Sequence, residues 1–133
     1  MADERPTREQ ERAQAAFQLI SEVEKQKWKQ EYGRQCLHLP ALIHQCGLCQ
    51  TLAFLEAKGA DEKKPWFRVL LNHLGSLTKI ASDWRGLTNE VRNAPLLRYQ
   101  WMTRETLACA QWLKRYAEAV LKVQLGEEEE RGA

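Results

Sequence analysis

Cys36, His38, His44, Cys46 and Cys49 stand close together in the chain and carry the side chains best suited to holding a soft metal or exchanging electrons. A structural zinc site draws on two separated ligand pairs and stands in for a hydrophobic core. This chain has apolar residues enough to build an ordinary core, so zinc is not required. Cys46 and Cys49 are expected on one face of one helix, as small apolar side chains at or near the core. Thioredoxin-like chemistry places its Cys-x-x-Cys after a strand in a βαβ unit, and no strand pattern precedes this pair.

Acyl transfer or hydrolysis needs a nucleophile, a base and an orienting acid. The chain offers Ser21, Ser76, Ser82, three histidines and three aspartates, none in a recognisable nucleophile elbow. His73 falls on the border of an apolar helix face, the position of a structural histidine. Most glutamates alternate with lysines and arginines on expected helix surfaces, which does not converge carboxylates on a pair of metals. No Gly-x-x-x-x-Gly-Lys loop or Gly-x-Gly-x-x-Gly turn is present to cradle a phosphate. The residues therefore predict no enzyme, no cofactor, no metal and no small-molecule substrate. Tryptophan is the remaining candidate, because single-strand binders stack bases on aromatic rings. Trp66 and Trp112 lie on apolar helix faces and read as core, whereas Trp84 and Trp101 fall at segment junctions, where exposure to a partner is expected.

The elements that carry these residues are helical. The apolar spacing is close to 3.6 residues nearly throughout, and leucine, alanine, glutamine, glutamate, lysine and arginine dominate over β-branched residues. With 133 residues, 44% apolar and 29% charged, the chain suits one domain around one core. The predicted fold class is all-α: a single compact bundle of about six helices over residues 1–126, with long first and last helices, followed by an acidic tail over 127–133. A first helix is expected from Thr7, where Thr7 and Gln10 offer a capping box, to Tyr32 before Gly33. A short helix, a kink at Pro40 and then another helix follow, the region being weakened again at Gly47 and closed by Gly59 as C-terminal cap. Pro65 opens a helix to Ser82, a short helix spans Leu87–Asn93, and Thr103 caps a last helix that ends near Leu125. The apolar residues of this last helix cover about half its circumference, which places it at the centre of the bundle. No segment is apolar enough to cross a bilayer and the first residues lack a secretory pattern, so a cytoplasmic location is expected.

The net charge of +2 conceals an asymmetry. With Glu127 to Glu130 and Arg131 set aside, 19 basic and 14 acidic residues leave a body of +5. Such a body tolerates a phosphate backbone without demanding one. On the last helix Arg104, Gln111, Arg115, Glu118 and Lys122 are spaced along one exposed ridge, with Lys114 beside Arg115. Lys25 with Lys29, and Arg68 with Lys79, are further cationic pairs on expected outer faces. All eight cations are candidate contacts to RNA phosphate or a protein partner; solvation of the helix surface is the alternative role.

Three blocks carry a family resemblance: "ERAQAAFQLI" (11–20), "HLPALIHQCGLCQTLAFLEAKG" (38–59) and "RYQWMTRETLACAQWLKRYAEAVL" (98–121). In their order and spacing they resemble the small helical subunit of type III-B CRISPR effector complexes, the fifth subunit of the Cmr assembly, over most of residues 8–123. The resemblance implies a six-helix protein without nuclease activity, copies of which line up beside the guide-RNA filament and help hold the target strand. Its partners would be the other Cmr-type subunits and the guide and target RNA. It implies no catalytic residue; Lys114 and Arg115 fall inside the third block. The glutamate tail and the "CGLC" cysteines depart from the family pattern. From the residues alone the chain reads as a helical interaction module, with a stand-alone protein-binding adaptor and a small zinc or redox protein centred on Cys46 and Cys49 as alternatives.

Overall fold

The computed structural model describes residues 4–124, and the acidic stretch expected over 127–133 lies outside them. Six helices follow in order: α1 (Arg8–Val23), α2 (Lys29–Cys46), α3 (Leu48–Gly59), α4 (Pro65–Thr78), α5 (Trp84–Asn93) and α6 (Leu96–Ala119). The described residues contain no strand, as the apolar period predicts. One continuous core runs through all six, and α6 lies against α1, α2 and α4, the central place its broad apolar arc implies.

Local chemistry sets several boundaries as read from the sequence. Thr7 accepts from the Gln10 amide at 3.1 Å while its own amide donates to the Gln10 side chain at 2.7 Å, a complete capping box. Pro65 occupies the first turn of α4. Gly59 is the last residue of α3, with Ala60 as cap, and its carbonyl accepts from Arg68 at 3.2 Å.

Other boundaries differ. The helix expected to run from Thr7 to Tyr32 breaks after Val23, and residues 24–28 turn the chain so that α1 and α2 can both lie on α6. Gly33 therefore ends nothing; it is buried inside α2, where a Cβ would overlap the Val123 side chain. α2 runs through Pro40 to Cys46 as one element, and the break falls at Gly47, whose φ of 82° suits glycine. This break puts Cys46 and Cys49 on different helices rather than on one face, with Cys46 exposed and Cys49 half-buried. α4 stops at Thr78, before the expected Ser82, with Lys79 in the left-handed region at φ 61°. α5 starts at Trp84 rather than Leu87 because Asp83 caps it, accepting from the Gly86 amide at 2.8 Å. α6 starts at Leu96, seven residues before the Thr103 expected as its cap; the Thr103 hydroxyl instead donates to the Tyr99 carbonyl at 2.9 Å, within the helix. It ends at Ala119, so Leu121 and Val123 are buried as non-helical chain.

Candidate nucleic-acid and partner interface

The early start of α6 changes what its surface presents. Leu97, Trp101 and Arg104 are spaced by four and three residues and so share one helix face, which continues through Gln111, Arg115 and Glu118. Leu96 is 70% exposed, Leu97 78% and Trp101 38%. The Arg98 guanidinium lies over the Trp101 ring at 4.5 Å. A helix of 24 residues is about 36 Å long, so this face offers an apolar step at one end and cations along the rest. Trp101 is thus exposed as expected, but from within α6 rather than at a junction. Leu96, Leu97 and Arg98 are absent from the sequence-derived candidates; the signal available is Pro95, which can precede a helix as readily as interrupt one.

The candidate cations fall into three situations. Arg104 and Arg115 are exposed on the α6 face, with Arg115 3.9 Å from Glu118, and Lys114 is half-buried beside them. Lys122 does not extend this ridge: the helix has ended, and Lys122 sits in the left-handed region at φ 59°. Lys25 and Lys29 do not stand one turn apart, because Lys25 lies in the turn after α1, 3.8 Å from Glu22, and Lys29 is the first residue of α2. Nor do Arg68 and Lys79 share a solvent face. The Arg68 guanidinium stacks over the Trp84 ring at 4.1 Å, while Lys79 caps α4 and pairs with Glu11 at 3.5 Å. Trp84 is accordingly a half-buried junction residue whose ring is covered by Arg68 and whose amide donates to the Asn72 side chain at 2.9 Å.

Two buried polar clusters tie helices of the bundle to one another. Glu105, 5% exposed, accepts from Arg12 at 2.6 and 3.0 Å and from Arg8 at 3.2 Å, tying α1 to α6. Burial alone would raise its carboxyl, but hydrogen bonds from Arg12 and then Arg8 outweigh this and hold it below the ordinary value. The neighbouring Cys109 thiol is pushed up to about 12, first by burial and then by the Glu105 charge, which leaves it protonated and unreactive. In the second cluster the Tyr32 hydroxyl meets His73 Nδ1, and burial lowers His73 to about 4 and raises Tyr32 and Cys36. His73 is therefore a neutral structural histidine. Among the described residues no three His, Cys, Asp or Glu side chains gather as metal ligands would, and no helix is long and apolar enough to cross a membrane.

Comparison with known proteins bears on this surface. Residues 8–120 match the family model described as CRISPR-associated protein (Cas_Cmr5). A protein named CRISPR system Cmr subunit Cmr5 from Thermus thermophilus is 39% identical over 116 residues, covering 87% of this chain and 97% of its own. One of the same name from Thermotoga maritima is 32% identical over 123 residues, covering 90% of this chain and 87% of its own. The crystal structure of a CRISPR-associated Cmr5 family protein from Thermus thermophilus superposes with a TM-score of 0.80 at 38% identity, covering 88% of this chain and 99% of that one.

Proposed function

The chain belongs to the Cmr5 family of CRISPR-associated proteins, and from that membership we propose that it is a non-catalytic structural subunit of a type III-B, RNA-guided, RNA-targeting effector complex in antiviral defence. Residues 1–126 act as one unit in the cytoplasm, packing along the guide-RNA filament beside other Cmr-type subunits and helping to hold target RNA.

The observation that carries this reading is the α6 face. Two exposed leucines and a partly exposed tryptophan at the start of α6, followed by Arg104 one turn on and Arg115 further along the same face, set an apolar step beside cations, as partner interfaces do. The apolar step suits a neighbouring subunit, and the cations suit a phosphate backbone or an acidic partner. The resistance of His73 to protonation and the engagement of Glu105 and Cys109 further support a role through contact, because each is committed to packing.

The test is capture of the tagged chain from its native host, with mass spectrometry and RNA extraction. Recovery of Cmr-type subunits with short guide RNA is expected. Recovery of a guide-free protein partner would replace this reading with that of a protein-binding adaptor.

A further inference from the structure

We propose that the groove framed by α2, α3 and the first turn of α4 is a stacking site for a short run of unpaired RNA nucleotides, an assignment that rests on the reading above and gives RNA a second face of the protein. The groove encloses about 660 Å³, within the roughly 300–1,000 Å³ typical of sites that engulf a ligand group. Along α2 its wall follows Glu31, Arg34, His38 and Gln45 at helical spacing, while Gly33, Cys36, Leu37 and Pro40 turn the other side of α2 into the core.

Two features identify the occupant. The first is aromatic. Phe54 is 40% exposed at the groove, on the solvent side of α3 with Gln50, Ala57 and Lys58, and Trp66 reaches the groove from α4 with its ring tilted against Phe67 at 5.8 Å. Every base has a π-face, so such rings accept unpaired nucleotides without regard to sequence. The second is charge. Arg34, Lys58 and Lys64 line the groove against the single carboxylate of Glu31, which lies 3.8 Å from Arg34. Lys58 Nζ lies over the Phe54 ring, 5.8 Å from its centroid, so a base stacking on that face would displace the exposed ammonium toward the nucleotide's phosphate. The remaining wall includes Gln35 and Gln45, whose amides can meet base edges. An amphipathic protein helix would want a continuous apolar floor, whereas here the apolar lining of Leu42, Phe54, Trp66 and Phe67 is interrupted by the charges and amides of Arg34, Gln35, Gln45, Lys58 and Lys64. A duplex is excluded by its own stacking, because paired bases cannot swing out onto Phe54.

The experiment is titration of the full chain with a short oligouridylate at low salt, followed by backbone amide chemical shifts and by fluorescence anisotropy. Shifts centred on Arg34, Phe54, Lys58 and Lys64 are expected, with weaker binding of a duplex of the same length. Phe54→Ala should weaken binding about fivefold or more, and Lys58→Gln with Lys64→Gln should weaken it and lower its salt dependence. All three positions are exposed, so the melting temperature serves as a control for folding. Unchanged affinity in these variants, or shifts confined to α6, would overturn the proposal. So would groove shifts that grow with protein concentration in the absence of RNA, which would assign the groove to a second copy, or groove shifts produced by changing Glu127–Glu130 to Gln in RNA-free protein, which would assign it to the chain's own acidic stretch. Capture from the host separates the two readings: if the Phe54→Ala chain still recovers guide RNA while binding oligouridylate like the unaltered chain, the subunit role stands and the groove assignment falls.

Discussion

Tyr32 on α2 and His73 on α4 meet edge to face and share a 2.7 Å hydrogen bond between the phenol oxygen and Nδ1. Burial holds His73 neutral and, with its neighbour Cys36, keeps the Tyr32 phenol protonated, so a single proton lies between the phenol oxygen and Nδ1.

Acid should loosen this contact in a defined window. His73 falls from its ordinary 6.5 to about 4 in the folded protein, so between those values the unfolded chain takes up a proton that the folded one refuses. The contribution is fully present above 6.5 and is lost as pH falls toward 4, by about 3 kcal/mol in all. Denaturant titrations across this range should show the decline, and His73→Gln, which cannot charge, should flatten it.

Glu105→Gln should destabilise the protein by about 2 kcal/mol, the cost of weakening charge-assisted hydrogen bonds to Arg8 and Arg12 in a largely dry site. Because the folded carboxyl lies below its ordinary 4.5, its stabilisation is present above that value and fades as pH drops below it. Comparing the unfolding midpoints of the variant and the parent at neutral pH and in acid checks both statements.

Gly33→Ala should cost about 1–3 kcal/mol by driving a methyl into Val123. Val123→Ala in the same chain should recover part of the loss, and a double-mutant cycle on thermal unfolding measures the coupling.

Exposed positions on α6 should separate assembly from folding. Leu96→Asp with Leu97→Asp should leave the melting temperature nearly unchanged, since both side chains are largely in water, yet reduce recovery of neighbouring subunits in a capture experiment. Full recovery would remove the apolar step from the interface.

Reversing Arg104, Arg115 and Lys122 to Glu should weaken retention of target RNA or incorporation into the complex while the chain still folds. Unchanged retention and incorporation would exclude these three cations.

Much of the fold is legible in the residues: the helical class, the number of helices, the Thr7 capping box, Pro65 at a first turn and the central place of the last helix all follow from spacing and composition. The failures share a cause. Gly33 and Pro40 look like local signals, but both are buried in α2, where tertiary packing overrides propensity and the small glycine makes room for Val123. Thr103 has the chemistry of a cap and the location of a mid-helix residue. The cationic ridge is partly legible because Arg104 and Arg115 obey helical spacing; Lys122 drops out of it because the helix end at Ala119 carries no glycine or proline to announce it. The ion cluster on Glu105 is invisible in the sequence because its partners come from the opposite end of the chain.

That last pairing has a consequence for how the protein comes into being. Arg8 and Glu105 are 97 positions apart, and the first helix has its main seat on the sixth. During synthesis α1 emerges with its apolar side uncovered, and its seat leaves the ribosome only after α2 to α5 have been made. The nascent chain must therefore wait with that side unprotected until α6 arrives to close the bundle over it.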